Sequence, residues 1–84
     1  MYYVYLIRSK KDGKCYIGYT KDLRERIRQH NLRRSVATKS RAPFELIYYE
    51  AYKSKKDAKE REEALKYHGQ AIRRVKEKLK DSLK

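Results

Sequence analysis

One glutamate in the C-terminal half of the chain stands out because it shares a helix face with apolar residues. In the predicted helix, Ala58 and Leu65 mark the buried stripe, and Glu62 lies between them on the same face. A carboxylate on an inward face is costly unless it is paired or holds a metal ion. The residues leave three interpretations open: Glu62 is a partner for Arg26 or Arg61, it lies at the edge of the stripe, or it binds a metal ion.

Two tyrosines near the N terminus are predicted to share one face of a β-hairpin. Aromatic and β-branched runs flank Asp12-Gly13, which is the strongest short-range hairpin signal. A two-residue loop would oppose Tyr5 to Thr20, Ile7 to Gly18 and Ser9 to Tyr16. Tyr5, Tyr16 and Gly18 then lie on one face, and Gly18 leaves a gap that both hydroxyls can reach. Ordinary aromatic packing is the alternative, since the chain has nine tyrosines.

The helix after the hairpin is predicted to direct an arginine and a histidine back toward these tyrosines. Leu23, Ile27 and either His30 or Asn31 recur at the spacing of one buried stripe, and Arg26 and His30, four residues apart, border that stripe. Arg26 could equally be an exposed helix arginine, and His30 could cap the end of the helix.

Two short motifs and the residues after them resemble the GIY-YIG nuclease superfamily. Tyr3-Val4-Tyr5 and Tyr16-Ile17-Gly18 match its paired signature, although Tyr3 stands where the family name has Gly and Val4 replaces Ile. Arg26 matches the arginine of the following helix, and His30 matches the aromatic or histidine one turn later. The resemblance continues through Pro43–Glu50 and on to Ala58, Glu62 and Lys66. Within the superfamily, the chain most resembles the small single-domain proteins that stand alone.

The resemblance implies a metal-dependent endonuclease and gives each of these residues a role. Glu62 would hold a single Mg²⁺ or Mn²⁺ ion, a hard cation that keeps several waters and is completed by substrate phosphate. Tyr16 would act as the base with Tyr5 as its partner, although a phenol with a pKa of about 10 needs nearby positive charge. Arg26 would donate to the scissile phosphate, and His30 would assist.

Nucleic-acid contacts are predicted around this site and in the basic segment 32–42. That segment has no clean period, and we interpret it as a mobile loop that contacts phosphates or is merely a solvated connector. The predicted contact residues are Gly18, Tyr19, Arg24, Arg28, Arg33, Arg34, Lys39 and Arg41.

The remaining pattern predicts an α+β fold: a three-stranded, mostly antiparallel sheet flanked by helices, in the order β-β-α-β-α-α. The third strand is predicted over Phe44–Ala51 with mixed alternation, the second helix over Lys55–Tyr67 and an amphipathic third helix over Gln70–Leu83. Thr20 and Ser54 are the predicted N-caps, with Asp22 in the first turn of its helix, and Gly69 is the predicted stop of the second helix.

Composition limits the classes of function that fit this chain. Its 84 residues form a single predicted domain, 1–84, and the net charge of +13 favours nucleic acid as the partner. The family resemblance implies DNA in preference to RNA. No basic segment carries the apolar face that a membrane-surface helix needs. A lone cysteine and the lack of a signal peptide or spanning run predict a cytoplasmic protein. A non-catalytic DNA- or ribosome-binding module is the alternative, and a partner protein could be needed for activity.

Overall fold

The fold is a three-stranded antiparallel sheet with helices on both faces. The computed structural model describes residues 1–84 and has the sheet order β2-β1-β3. The strands are β1 (Tyr2–Ser9), β2 (Cys15–Thr20) and β3 (Phe44–Tyr52), and the helices are α1 (Leu23–Asn31), α2 (Lys55–Tyr67) and α3 (Gly69–Lys78). This arrangement confirms the predicted fold class and element order. None of the helices is long and apolar enough to cross a membrane.

The pairing of the hairpin differs from the prediction by two residues. Tyr5 pairs with Gly18 and Ile7 with Tyr16, whereas a two-residue loop would have opposed Tyr5 to Thr20. Because side chains alternate with a period of two, a shift of two residues keeps the same set on each face. Tyr5, Ile7, Tyr16 and Gly18 therefore share a face as predicted.

A longer loop causes this shift. Residues 10–14 connect the strands, and the Ser9 hydroxyl accepts hydrogen bonds from the backbone N–H groups of Lys11 and Asp12 at 3.1 and 3.2 Å. Gly13 has a φ of 74° and donates its N–H to the Ser9 carbonyl at 2.9 Å. Glycine adopts this left-handed conformation without the steric cost that a side chain would bring.

A β-bulge in β3 explains the mixed alternation of that strand. The pairing with β1 passes from Leu46 to Tyr48, so Ile47 has no opposite residue. Leu46 and Tyr49 are three positions apart and would point to opposite faces of a regular strand. The extra residue brings both onto the face that carries Tyr5.

Each face of the sheet has its own hydrophobic core, and the central strand β1 contributes to both. The α1 face contains Tyr5, Ile7, Ala42 and Phe44, packed with Tyr16, Leu23 and Ile27. The opposite face contains Val4, Ala58, Leu65 and Val75, with Ala71, Ile72 and Leu79 packed around them. The predicted apolar stripe of α3 thus packs on the domain.

Helix boundaries differ from the prediction at three points. Asp22, rather than Thr20, caps α1, because its carboxylate accepts from the Glu25 N–H at 3.1 Å. Gly69 does not end α2, because α2 already ends at Tyr67 and Gly69 is the first residue of α3. The third helix ends at Lys78, before the predicted boundary. The predicted cap at the start of α2 is confirmed by the Ser54 hydroxyl, which accepts from the Asp57 N–H at 3.3 Å.

The segment between α1 and β3 is more structured than the loop that the sequence predicted. Ser35 and Thr38 are buried in it, and a short 3₁₀ turn spans Lys39–Arg41. The hydroxyl groups of Ser35 and Thr38 form hydrogen bonds with side chains of α1. Hydrophobic periodicity does not predict such contacts. Basic side chains nevertheless occupy the outer surface of the segment.

Candidate functional site

A buried tyrosine–histidine pair lies at the centre of the α1 face. The Tyr5 hydroxyl is 2.8 Å from His30 Nε2, and the two rings meet edge to face. The His30 ring also packs against Tyr16, with 5.4 Å between ring centroids. His30 is completely buried because it continues the inward stripe of α1, so it does not cap the end of the helix.

Thr38 holds the other side of the His30 ring. Its hydroxyl is 2.7 Å from His30 Nδ1, and Thr38 itself is completely buried. Burial, with a smaller contribution from the charge of Arg26, lowers the pKa of His30 to about 4. His30 is therefore neutral at physiological pH, with one ring nitrogen donating and the other accepting.

The phenol of Tyr5 is also held in its neutral form. Burial raises the pKa of Tyr5 to about 12, and although Arg26 acts in the opposite direction, the charges of Tyr16 and Glu62 add to the increase. Tyr5 is nearly completely buried, whereas Tyr16 is partly exposed. Tyr16 is therefore the tyrosine of the pair that water and a substrate can reach.

Gly18 makes the position of Tyr5 sterically feasible. The two residues are directly opposed, and the Tyr5 ring folds over the Gly18 backbone so closely that a Cβ at position 18 would overlap the hydroxyl and its ring carbon. The gap predicted beside Gly18 is therefore filled by one of the two tyrosines.

Arg26 lies beside this cluster without a carboxylate partner. Its guanidinium donates to Gln29 Oε1 at 3.2 Å and to Ser35 Oγ at 3.4 Å, both neutral oxygens. It lies close enough to influence the pKa values of Tyr5 and His30. A half-buried arginine with its charge uncompensated can bind an anion such as a phosphate group.

Glu62 is buried on α2 and is held by two lysines of its own helix. Lys59 Nζ is 3.2 Å from one carboxylate oxygen, and Lys66 Nζ is 3.1 Å from the other. The alternatives that paired Glu62 with Arg26 or Arg61 are wrong. Desolvation disfavours the Lys66 ammonium, but the hydrogen bond and charge of Glu62 outweigh it and raise the Lys66 pKa.

The arginine beside Glu62 in sequence is held by another acid. Arg61 makes a two-point ion pair with Glu50 of β3, at 2.8 and 3.1 Å. Tyr48 and Tyr52 also donate to Glu50. Burial alone would raise the pKa of Glu50, but these hydrogen bonds lower it to about 2. This network joins α2 to the sheet and fixes the helix that carries Glu62.

The donor set at Glu62 suits one weakly ligated hard cation. Nowhere in the chain do three or more His, Cys, Asp or Glu side chains form a metal-binding group. A single carboxylate fits Mg²⁺, which takes most of its ligands from water and phosphate. Because both oxygens of Glu62 contact lysines, an ion that binds there meets the repulsion of two ammonium groups.

The other predicted contact residues are distributed unevenly. Arg24, Arg28, Arg33, Arg34 and Lys39 are exposed, with Arg28 paired to Glu25. Arg41 is half-buried and bound to Asp12 at 3.1 Å. Tyr19 lies on the opposite face from Tyr16, where Lys59 Nζ is 4.7 Å from its ring centroid. Gly18 is buried beneath the Tyr5 ring, so Gly18, Tyr19 and Arg41 are the three predicted contact residues that are not exposed.

Four residues of the site were not predicted: Ser35, Thr38, Lys59 and Lys66. The two lysines could have been found, because Lys59 precedes Glu62 by three residues and Lys66 follows it by four, the spacing of helical ion pairs. No local pattern indicates the two hydroxyl residues, whose partners lie on α1.

Comparison with known proteins decides the family. A family model described as the GIY-YIG catalytic domain matches residues 1–78. The chain belongs to the GIY-YIG family. This membership confirms the resemblance stated from the motifs and assigns a nuclease-type fold.

Staphylococcal proteins of the UPF0213 group are relatives of this GIY-YIG chain. The UPF0213 proteins SSP2268 of Staphylococcus saprophyticus and SERP0126 of Staphylococcus epidermidis are both 39% identical to it over 66 residues. UPF0213 protein SA0446 of Staphylococcus aureus strain N315 is 38% identical over the same length. Each match covers 77% of this chain and 79% of the relative. No solved structure matches the chain significantly.

Proposed function

We propose that this protein is an endonuclease that hydrolyses DNA phosphodiester bonds with the help of one divalent metal ion. The observation that carries the proposal is the uncompensated charge of Arg26 beside the Tyr5–His30 pair. A protein that needed this cluster only for packing would gain nothing from a half-buried arginine without an acidic partner. Selection of a DNA structure rather than a sequence fits a small basic chain, and repair or processing of DNA is the corresponding role.

In this mechanism Arg26 binds the scissile phosphate, and the two tyrosines act on the attacking water. The fork of the Arg26 guanidinium donates to non-bridging oxygens and stabilises the charge that builds up in the transition state. Tyr16, the more accessible tyrosine, first gives up its own hydroxyl proton to solvent, and the resulting phenolate positions the water and accepts its proton. The water oxygen joins phosphorus as the P–O bond to the departing oxygen breaks, and the departing oxygen takes a proton from solvent.

Tyr5 and His30 support Tyr16 from within the core. Tyr5 stays protonated, so it contributes a neutral hydroxyl dipole, and His30 and Thr38 fix its direction. Glu62 is the residue that would hold the divalent ion, and the ion would supply positive charge to the phosphate. The lysines beside Glu62 are then free to contact the nucleic-acid backbone.

A non-catalytic nucleic-acid-binding module is the second candidate. The lysine pairs on both oxygens of Glu62 favour it, because they neutralise the carboxylate without a metal ion. Such a module would bind DNA or RNA, including ribosomal RNA, through the +13 surface. A catalytic domain that requires a partner protein for activity would behave in the same way when tested alone.

The deciding experiment measures cleavage of labelled linear, flapped and branched DNAs and RNAs with Mg²⁺, Mn²⁺ or chelator. The variants are Glu62→Gln and Arg26→Lys, and Glu63→Gln serves as the matched control because Glu63 is exposed on the same helix. We expect each site variant to lose about 100-fold in rate or more, as for removal of one transition-state donor. Metal-independent binding without cleavage, unchanged by either variant, would support the second candidate.

A further inference from the structure

A groove on the far side of α1 from Arg26 has no role in the proposed mechanism. Tyr3, Leu46 and Tyr49 of the sheet form its floor, and Leu23 and Ile27 form its wall. It is open to solvent, with a volume of about 590 Å³, within the range of small-ligand sites. We name it the β3 groove.

The floor of the β3 groove exposes aromatic surface that no element of the chain covers. Tyr49 is 51% exposed and Leu46 is 40% exposed, although both belong to a strand. The bulge at Ile47 is the reason that they share this face. Tyr3 supports Tyr49 edge to face, with 6.0 Å between ring centroids, so the Tyr49 ring is held in place.

The rim of the β3 groove is basic. Lys21 and Arg24 line it, and neither makes an ion pair. Lys21 Nζ is 6.0 Å from the ring centroid of Tyr2, which packs on the opposite face of the sheet, so Arg24 is the cation that faces the groove without a partner. The one carboxylate in the lining, Asp22, accepts the backbone N–H of Glu25 as the cap of α1. An exposed ring with the free charge of Arg24 beside it, and the flexible Lys21 side chain within reach, suits a ligand with a flat apolar face and flanking negative charges, which describes a nucleotide.

We propose that the β3 groove binds an unpaired nucleotide of a single-stranded segment, with its base stacked on Tyr49 and its phosphates beside Lys21 and Arg24. A base in a duplex cannot reach the groove because it is already stacked and paired. A second copy of the chain is a poorer occupant, since two molecules that each carry +13 repel one another.

The position of the groove links it to the candidate site. Arg24 and Arg26 lie on opposite flanks of α1, so a strand that crosses the helix can place one phosphate at Arg26 and a nearby base in the groove. This link rests on the proposed function and narrows the substrate class to nucleic acid with an unpaired strand beside the cut. Binding in the groove itself does not require cleavage.

The test is equilibrium binding of a fluorescent oligothymidylate, measured by anisotropy in the presence of chelator. We expect Tyr49→Ala to weaken binding about tenfold, the effect of losing one stacked base. Tyr49→Phe keeps the ring and should retain wild-type affinity. Tyr67→Ala is the matched control, because Tyr67 is 77% exposed at the end of α2 and outside the groove. Arg24→Ala should reduce the salt dependence of binding by about 0.7 in log–log slope, one phosphate contact to a single strand.

Three results of the binding assay would overturn the inference. They are unchanged affinity in Tyr49→Ala, an equal loss in Tyr67→Ala, and an equal loss for a blunt duplex, which would indicate backbone contacts alone. Conversion of a dimer to a monomer by Tyr49→Ala, seen in sedimentation, would assign the groove to a second copy and also overturn it. Because no metal is present, a protein that never cleaves DNA can still confirm the groove, and one that cleaves can still refute it.

Discussion

The phenol of Tyr5 occupies the space that a side chain at Gly18 would need. A methyl group at position 18 would overlap the hydroxyl and ring of Tyr5, which is packed in the core and bound to His30. We expect Gly18→Ala to lower the free energy of unfolding by about 1–3 kcal/mol, the usual cost of overpacking. Urea denaturation measures this change.

Gly69→Ala is the control for that substitution. No atom lies within 4 Å of a Cβ built at Gly69, which starts α3 in a backbone conformation open to any residue. The free energy of unfolding of this variant should be unchanged or raised by about 0.5 kcal/mol, because alanine has less conformational freedom than glycine in the unfolded chain. Equal stability of Gly18→Ala and the wild type would show that Tyr5 can move away at little cost.

Burial of neutral His30 makes folding stability depend on pH in mildly acidic solution. The pKa of His30 falls from 6.5 in the unfolded chain to about 4 in the folded protein, so the unfolded chain binds more protons between these values. The contribution of neutral His30 to the free energy of unfolding is therefore fully present above pH 6.5, and it is lost as the pH falls toward 4. The total loss is about 3 kcal/mol, measured by denaturation at a series of pH values.

The exposed histidine provides the control for this pH dependence. His68→Gln should retain the whole decrease, because His68 lies at the surface between α2 and α3. Below pH 4.5 the loss steepens, since Glu50 has a folded pKa of about 2 and starts to be protonated in the unfolded chain. A flat stability profile between pH 6.5 and 4.5 would contradict the buried neutral state of His30.

The hydroxyl of Thr38 should determine the orientation and tautomer of His30. Thr38→Val preserves the shape of the side chain but leaves His30 Nδ1 without its partner at 2.7 Å. We expect a loss of about 1–3 kcal/mol in stability and a change in the ¹⁵N chemical shift of Nδ1. Thr38→Ser should restore both measurements. An unchanged Nδ1 shift in the valine variant would mean that another group fixes the ring.

The lysine pair on Glu62 should weaken the binding of divalent cations. We expect Lys66→Met to bind Mn²⁺ about tenfold more tightly than the wild type, because an ammonium 3.1 Å from the carboxylate competes with the ion. Electron paramagnetic resonance of free Mn²⁺ measures this without nucleic acid. Lys55→Met, at the exposed start of α2, is the control. Equal Mn²⁺ affinity in all three proteins would show that Lys66 does not compete.

Periodicity predicted the features of the site that follow from a single element. Periodicity left His30 or Asn31 as the last position of the α1 stripe and directed His30 toward the hairpin, and it placed Glu62 on the inward face of α2, with no knowledge of the partners. The predicted hairpin register was wrong by two residues, but the predicted face of Tyr5 and Tyr16 was correct because side chains alternate with a period of two.

Contacts between distant segments could not be predicted in this way. Thr38 reaches His30 from a segment without any period, and the bulge at Ile47 depends on how β3 pairs with β1. The Lys59 and Lys66 contacts are different, because they lie within α2 and their helical spacing around an inward glutamate could have been found in the sequence.

The bulge at Ile47 has a further consequence for the behaviour of the protein at high concentration. The β3 strand is at the edge of the sheet, where unpaired backbone groups are a template for pairing with another chain. An extra residue increases the local twist and interrupts the regular spacing of those groups. The same irregularity that exposes Tyr49 therefore makes edge-to-edge assembly into fibrils unfavourable, so a nine-residue edge strand stays compatible with a dissolved, monodisperse protein.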